Sequence, residues 1–123
     1  MQLTLEHPDH EFVLRGADGT SALVNDRRLT TSFVLAPDRL IEDWPVSAVG
    51  LLTPELLRPI LELEPEVVLL GTGDRQAFAP AITQAACLRA GVGFEVMNNG
   101  AAARTFNVLA GEGRRVVAAF ILG

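Results

Sequence analysis

Three stretches of this sequence hold residues whose types and spacing could do chemistry. In "LLGTGDRQ", residues 69–76, an apolar run ends in Gly71, Thr72 and Gly73. A glycine turn after a buried strand can hold a phosphate when free backbone N–H groups and a helix N-terminus converge on it. In "MNNGAAAR", residues 97–104, Asn98, Asn99 and Gly100 lie where a strand gives way to a helix, and Arg104 follows about one turn later. Side-chain amides and a guanidinium facing one small volume would bind an anion. In "HPDHE", His7, Asp9, His10 and Glu11 are all metal-capable.

Each stretch also has a plainer reading. The helix after the glycine turn starts only at Pro80, whose ring removes a donor, and Asp74 lies between. The dinucleotide pattern G-x-G-x-x-G has Gln76 where its third glycine belongs. The turn therefore reads as structural, its glycines taking dihedrals that other residues avoid. Asn98 or Asn99 reads as a helix cap, and Arg104 as the partner of an acid such as Asp74 or of backbone carbonyls. The alternative left open is a pocket of Gly71, Thr72, Gly73, Asn98, Asn99 and Arg104 for a small anionic ligand or a weak enzyme. "HPDHE" reads as a solvated loop, so neither a metal nor a cofactor is expected.

Nucleophiles are scarce. The ten basic residues are all arginine, which excludes Schiff-base lysines and the lysine of a phosphate loop. Ser21, Ser32 and Ser47 lack the setting of a nucleophile elbow, and Cys87 lies mid-helix among alanines. A single cysteine allows no internal disulfide and reads as a buried, inert thiol. The expectation is a non-enzyme.

The elements that must position these residues change character along the chain. The 123 residues, 49% hydrophobic and 20% charged with mean hydropathy +0.29, fit one domain, 1–123. Residues 1–50 read as a β-rich part with strands in "QLTL", "EFVLR", "TSALV" and "TSFVLA", separated by the turns "HPDH", "GADGT" and "VNDRR". "LIEDWPVSAVGLL" reads as loop with one short strand, and Trp44 as a core or edge-covering residue. Residues 51–123 read as a helix and then β-α-β-α-β. The first helix spans Pro54 to about Leu63 with a kink at Pro59. "EVVLLG", "VGFEVM" and "RRVVAAFIL" are the strands, and helices begin at Pro80 and at Asn98 or Asn99. Ala102, Phe106, Leu109 and Ala110 give the last helix one apolar stripe, with Ala103, Arg104 and Asn107 nearer its edge. The N-terminal part is expected to wrap one side of this unit.

Charge and targeting set the environment. The net charge is -5, yet residues 1–66 carry five Arg against twelve acids and residues 67–123 five against three. Nucleic acid is not expected as a partner. The second half instead offers a protein-contact surface of Arg104, Asn107, Glu112, Arg114 and Arg115, the last group also able to close its turn as an ion pair. Apolar runs such as "VVAAFILG" are too short to span a membrane, and the acidic start lacks a secretory or transit pattern. The expected setting is cytoplasmic, as a monomer or weak homo-oligomer.

The series "EVVLLGTG" and "GVGFEVMNNGAAARTFNVLAGEGRRVVAAFIL" resembles a small uncharacterised domain family of bacteria and archaea that includes a mitochondrial respiratory complex I assembly factor. The likeness extends to "SFVLAPDRLIEDWPV" and covers the whole chain. It implies a three-layer α/β domain with a mixed central sheet, flanking helices and an additional N-terminal β layer. It also implies no established enzymatic activity and a role through protein contacts, such as assisting assembly of a membrane complex. The matching positions would be Gly71, Thr72 and Gly73, then Met97, Arg104, Thr105, Asn107, Glu112 and Arg114. Asn98 stands where the family often has an acid and Ala103 where it often has a cysteine, so neither charge nor thiol chemistry carries over there.

Overall fold

Turn residues punctuate the first third of the chain, and short antiparallel strands result. The computed structural model describes residues 11–123, so the strand expected in "QLTL" and the residues His7, Asp9 and His10 lie outside the described residues. β1 (Leu14–Ala17), β2 (Ala22–Val24) and β3 (Arg27–Leu29) form a three-stranded antiparallel sheet in that order. Asp18 builds the β1–β2 turn by accepting from the amides of Thr20 and Ser21, each at 2.8 Å. Asn25, at φ +52°, turns the chain into β3. "VNDRR" is thus a turn only at its centre, and Arg27 and Arg28 pair back onto β2.

β4 (Phe33–Ala36) and β5 (Arg39–Ile41) follow as a hairpin, and then a 3₁₀ turn at Pro54–Leu57 leads into α1 (Arg58–Leu61). The helix expected over 54–63 is therefore two pieces. Pro59 sits in the first turn of α1, where no intrahelical donor is missed. β6 (Val67–Gly71), α2 (Ala81–Arg89), β7 (Gly93–Met97), α3 (Asn99–Gly111) and β8 (Val116–Phe120) complete the chain. α2 begins after Pro80 and gives way at Gly91, whose φ of +73° suits glycine. Asn98 is the cap of α3, its Oδ1 accepting from the amide of Ala101 at 2.8 Å.

The five-stranded sheet runs β5-β4-β8-β6-β7. β6 is parallel to both neighbours, and β4 is antiparallel to β5 and β8. It is a mixed sheet. "TSFVLA", expected in the wrapping layer, joins it, because Phe33, Val34, Leu35 and Ala36 are apolar on both faces and all buried. Only β1–β3 form the additional layer.

Side-chain alternation divides the core in two. Val116, Ala118 and Phe120 face α3 and the small sheet, together with Phe33, Leu35, Val67, Leu69 and Phe106. Val117, Ala119 and Ile121 face α1 and α2, together with Val34, Val68, Leu70, Ile60 and Cys87. Phe33 and Phe120 stack with centroids 4.9 Å apart. Trp44 belongs to the second core, and its Nε1 donates to the carbonyl of Leu56 at 3.0 Å. No helix among the described residues is long and apolar enough to cross a membrane.

Candidate functional site

The connections after β6 and β7 leave on opposite faces of the sheet, to α2 and to α3. In a wound sheet this is where a crevice opens between neighbouring strand ends. Here the fold's own groups occupy it. The amide of Thr72 donates to the carbonyl of Met97 at 3.0 Å, and the amide of Asn99 donates to that of Gly73 at 2.8 Å. Thr72 Oγ1 donates to the carbonyl of Arg75 (2.7 Å) and accepts from the amide of Ala77 (3.1 Å). Gly73 adopts φ +111°, open to glycine alone without strain.

Asn99 is the centre of this end of the molecule. It is fully buried at 0% exposure, a setting in which an amide must find its partners. Its Oδ1 accepts from the amide of Gly73 at 3.1 Å. Its Nδ2 donates to the carbonyls of Asp18 (2.8 Å) and Ile121 (3.0 Å). One side chain thus ties the glycine turn, the β1–β2 hairpin and the end of β8. A β-carbon on Gly71 would collide with Asn99 Oδ1. Among the described residues every buried side-chain nitrogen and oxygen has a partner.

Asp74 joins the same junction. Its Oδ1 accepts from the amide of Gly19 at 2.7 Å, so it pairs with the hairpin and not with Arg104. Beside it lies an open cleft of about 400 Å³, bordered by Gly19, Thr20, Ser47, Thr72, Gly73 and Asp74. The sequence offers Asp74 only as a partner for Arg104 and does not single out Asp18 or Gly19, because only the approach of the hairpin to the β6 turn brings them together. Two backbone N–H groups and a hydroxyl hold the Asp18 carboxyl below its ordinary range.

Arg104 is apart from this junction. Its guanidinium is exposed, is in no ion pair among the described residues, and borders a cleft of about 210 Å³ with Arg15, Gly16 and Gly100. Asn107 lies on that cleft too. Its Oδ1 accepts from the amide of Leu14 at 3.0 Å and its Nδ2 donates to the carbonyl of Leu14 at 2.7 Å, replacing a strand neighbour for β1. Arg114 and Arg115 are at the opposite end of the sheet. Arg114 pairs with Glu66 at 3.2 Å, and Arg115 with Asp38 at 2.8 Å while also donating to the carbonyl of Leu63. Neither pairs with the exposed Glu112. Among the described residues no three His, Cys, Asp or Glu side chains gather as metal ligands. Cys87 is buried in α2, and burial pushes its thiol up.

The model of a protein family of unknown function (DUF498/DUF598) matches residues 14–121. A Bos taurus protein, NADH dehydrogenase (ubiquinone) 1 alpha subcomplex assembly factor 3, is 35% identical over 102 residues, which cover 80% of this chain and 54% of that protein. The chain thus spans about half the length of the curated relative it matches. Among solved structures, an NMR structure of a Xanthomonas campestris protein is 54% identical with a TM-score of 0.85, covering 100% of this chain and 93% of that one. A crystal structure of a Bordetella parapertussis protein is 36% identical with a TM-score of 0.84, covering 91% and 96%. A Bordetella pertussis Mth938-like domain is 32% identical with a TM-score of 0.77, covering 98% and 92%.

Proposed function

We propose, because this chain belongs to the DUF498/DUF598 family of proteins of unknown function, that it is a non-enzymatic protein-binding domain that assists assembly of a membrane complex. The observation that carries this reading is its 35% identity to a relative named as an assembly factor. The local chemistry agrees with it: the Asn and Gly turns that could have held an anion bond the protein's own backbone. The contact surface in this reading is formed by Arg104, Asn107, Glu112, Arg114 and Arg115. The protein acts in the cytoplasm as a monomer or weak homo-oligomer, without nucleic acid.

Affinity capture of the tagged protein from its own cell lysate, at low and moderate salt, tests the reading. A recurring partner lost on combined Arg104→Glu and Arg115→Glu substitution supports it. Capture that stays empty with the unsubstituted protein overturns it.

The cleft of about 400 Å³ favours a second reading, a small-anion binder or weak enzyme; of the residues first considered for it, Thr72 and Gly73 border this cleft, whereas Gly71, Asn98, Asn99 and Arg104 do not. A thermal-shift screen of nucleotides and carboxylates decides it, since ligand at about 1,000 times Kd stabilises by about 4 kcal/mol. A flat screen removes this reading.

A further inference from the structure

The outer face of the small sheet carries a second group of arginines that joins Arg104. Leu14, Ala22, Val24 and Leu29 turn inward to the core, leaving the opposite face to solvent. Gly16, Leu23 and Arg28 are successive cross-strand partners, and a side chain at Gly16 would meet nothing within 4 Å. The strand register slips between Leu14 and Gly16, so Arg15 sits at a bulge. The missing side chain at Gly16 opens a trough. One part, about 240 Å³, is bordered by Arg15, Gly16, Ala17, Asp18, Leu23 and Arg28. The other, about 210 Å³, is bordered by Arg15, Gly16, Ala17, Gly100, Arg104 and Asn107. Arg15, Gly16 and Ala17 border both, so the two parts adjoin along β1, with Arg28 on one and Arg104 on the other.

Arg15, Arg28 and Arg104 are exposed, and among the described residues none is in an ion pair. Among the described residues the one acid on this trough is Asp18, whose Oδ1 accepts from the amides of Thr20 and Ser21 and the hydroxyl of Thr20. Its charge also acts on Arg28, so three arginines stand against a single carboxylate. The result is a basic trough on a protein of net charge -5. Leu23, half-buried and paired with Gly16 across the strands, gives it an apolar lining.

We propose that this trough is a docking site for an extended acidic segment of a partner protein, with carboxylates alternating with small apolar residues. The inference rests on the protein-binding reading above and extends its Arg104 contact onto Arg15 and Arg28, away from the paired Arg114 and Arg115. Guanidinium forks match carboxylates in a bidentate manner, and their mutual field speeds encounter with an acidic chain. A nucleic acid fits less well. No aromatic side chain borders the trough to stack a base, and the rest of the chain is acidic and repels a phosphate backbone.

The test uses the ¹⁵N-labelled full chain with a synthetic peptide of alternating Glu and Ala, and the same peptide with Gln for Glu. The Glu peptide is expected to shift the amide signals of Arg15–Ala17, Leu23, Arg28 and Gly100–Arg104, and to weaken about tenfold between about 50 and about 300 mM salt. The Gln peptide shifts nothing. Combined Arg15→Gln, Arg28→Gln and Arg104→Gln substitution lowers affinity at least about tenfold, equivalent to about 1.4 kcal/mol, with an unchanged melting temperature. Signals that move elsewhere, undiminished binding by the variant, or no shift at millimolar peptide would overturn the proposal. So would tighter binding at these residues by a short RNA or by phosphatidylserine vesicles. Lysate capture with the same variant separates the two readings: a partner retained by the variant sinks the trough alone, whereas a capture empty with the unsubstituted chain sinks the assembly role.

Discussion

Asn99 Oδ1 fills the space that a side chain on Gly71 would take, at the end of β6. Gly71 is glycine because of its neighbour, not because of its own dihedrals. The same oxygen accepts from Gly73, while Nδ2 serves the carbonyls of Asp18 and Ile121. A side chain with an acceptor and a two-fold donor is required there, and Asn99 is placed by the first turn of α3 to supply it.

Asn99→Ala leaves one backbone donor and two acceptors without their side-chain partner. At about 1–3 kcal/mol for each buried group left unsatisfied, with water recovering part, the expected loss is about 3 kcal/mol in urea unfolding. Gly71→Ala is expected to cost about 1–3 kcal/mol by overpacking against Asn99. The double variant should fall well short of the sum, since both act on one contact. Additive losses would show the two residues to be independent.

Asn107→Ala removes both bonds to the backbone of Leu14. The expected cost is about 1–2 kcal/mol, felt locally. Hydrogen exchange at the Leu14 amide should quicken while the amides of β6 keep their protection. A uniform change across the domain would contradict the local role.

Acid should weaken the fold through Asp18 and Asp38. Hydrogen bonds from the amides of Thr20 and Ser21 lower the first, and the bond from Arg115 lowers the second, each below an ordinary value of 3.8. The unfolded chain then takes up these protons before the folded chain does. Their stabilisation is present above about pH 4 and is lost as pH falls through the lower folded values. Asp18→Asn should flatten stability against pH in that acid range, measured by unfolding at a series of pH values. An unchanged slope would remove Asp18 as a contributor.

Cys87 has 0% exposure and a thiol pushed up by burial. Labelling by an aromatic disulfide reagent at about pH 8 should be slow in the folded protein and complete in denaturant. Its rate should follow the opening of α2. Immediate labelling would contradict the burial.

The β-α-β-α-β unit was legible because its signals are local. The apolar runs of β6 and β8 are what a strand covered on both faces requires, and Pro80, Asn98 and Gly91 mark helix ends by their own backbone chemistry. β3 was not legible, since Arg27 and Arg28 carry no apolar alternation and pair only because Asn25 turns them back onto β2. Pro59 was read as a kink because sequence does not tell a helix interior from a helix start.

At the glycine turn, residue types were readable and partners were not. Gly73 bonds Asn99 and Thr72 bonds Met97, whereas the Asn98 side chain caps α3. Asp18, Gly19 and Ile121 complete the junction from sequence distances that no motif spans. Arg104 shares its cleft with Arg15, a pairing that arises only when α3 packs along β1.

The sequence by itself determined the α/β class, the order of the principal strands and helices and the absence of lysine chemistry, since composition, periodicity and caps act over a few neighbouring residues. Tertiary structure alone decided that β4 enters the central sheet, that Asn99 takes up the glycine turn, and that three arginines from β1, β3 and α3 border one trough. Those outcomes depend on which distant backbone groups and apolar faces meet, and burial, not local spacing, selects them.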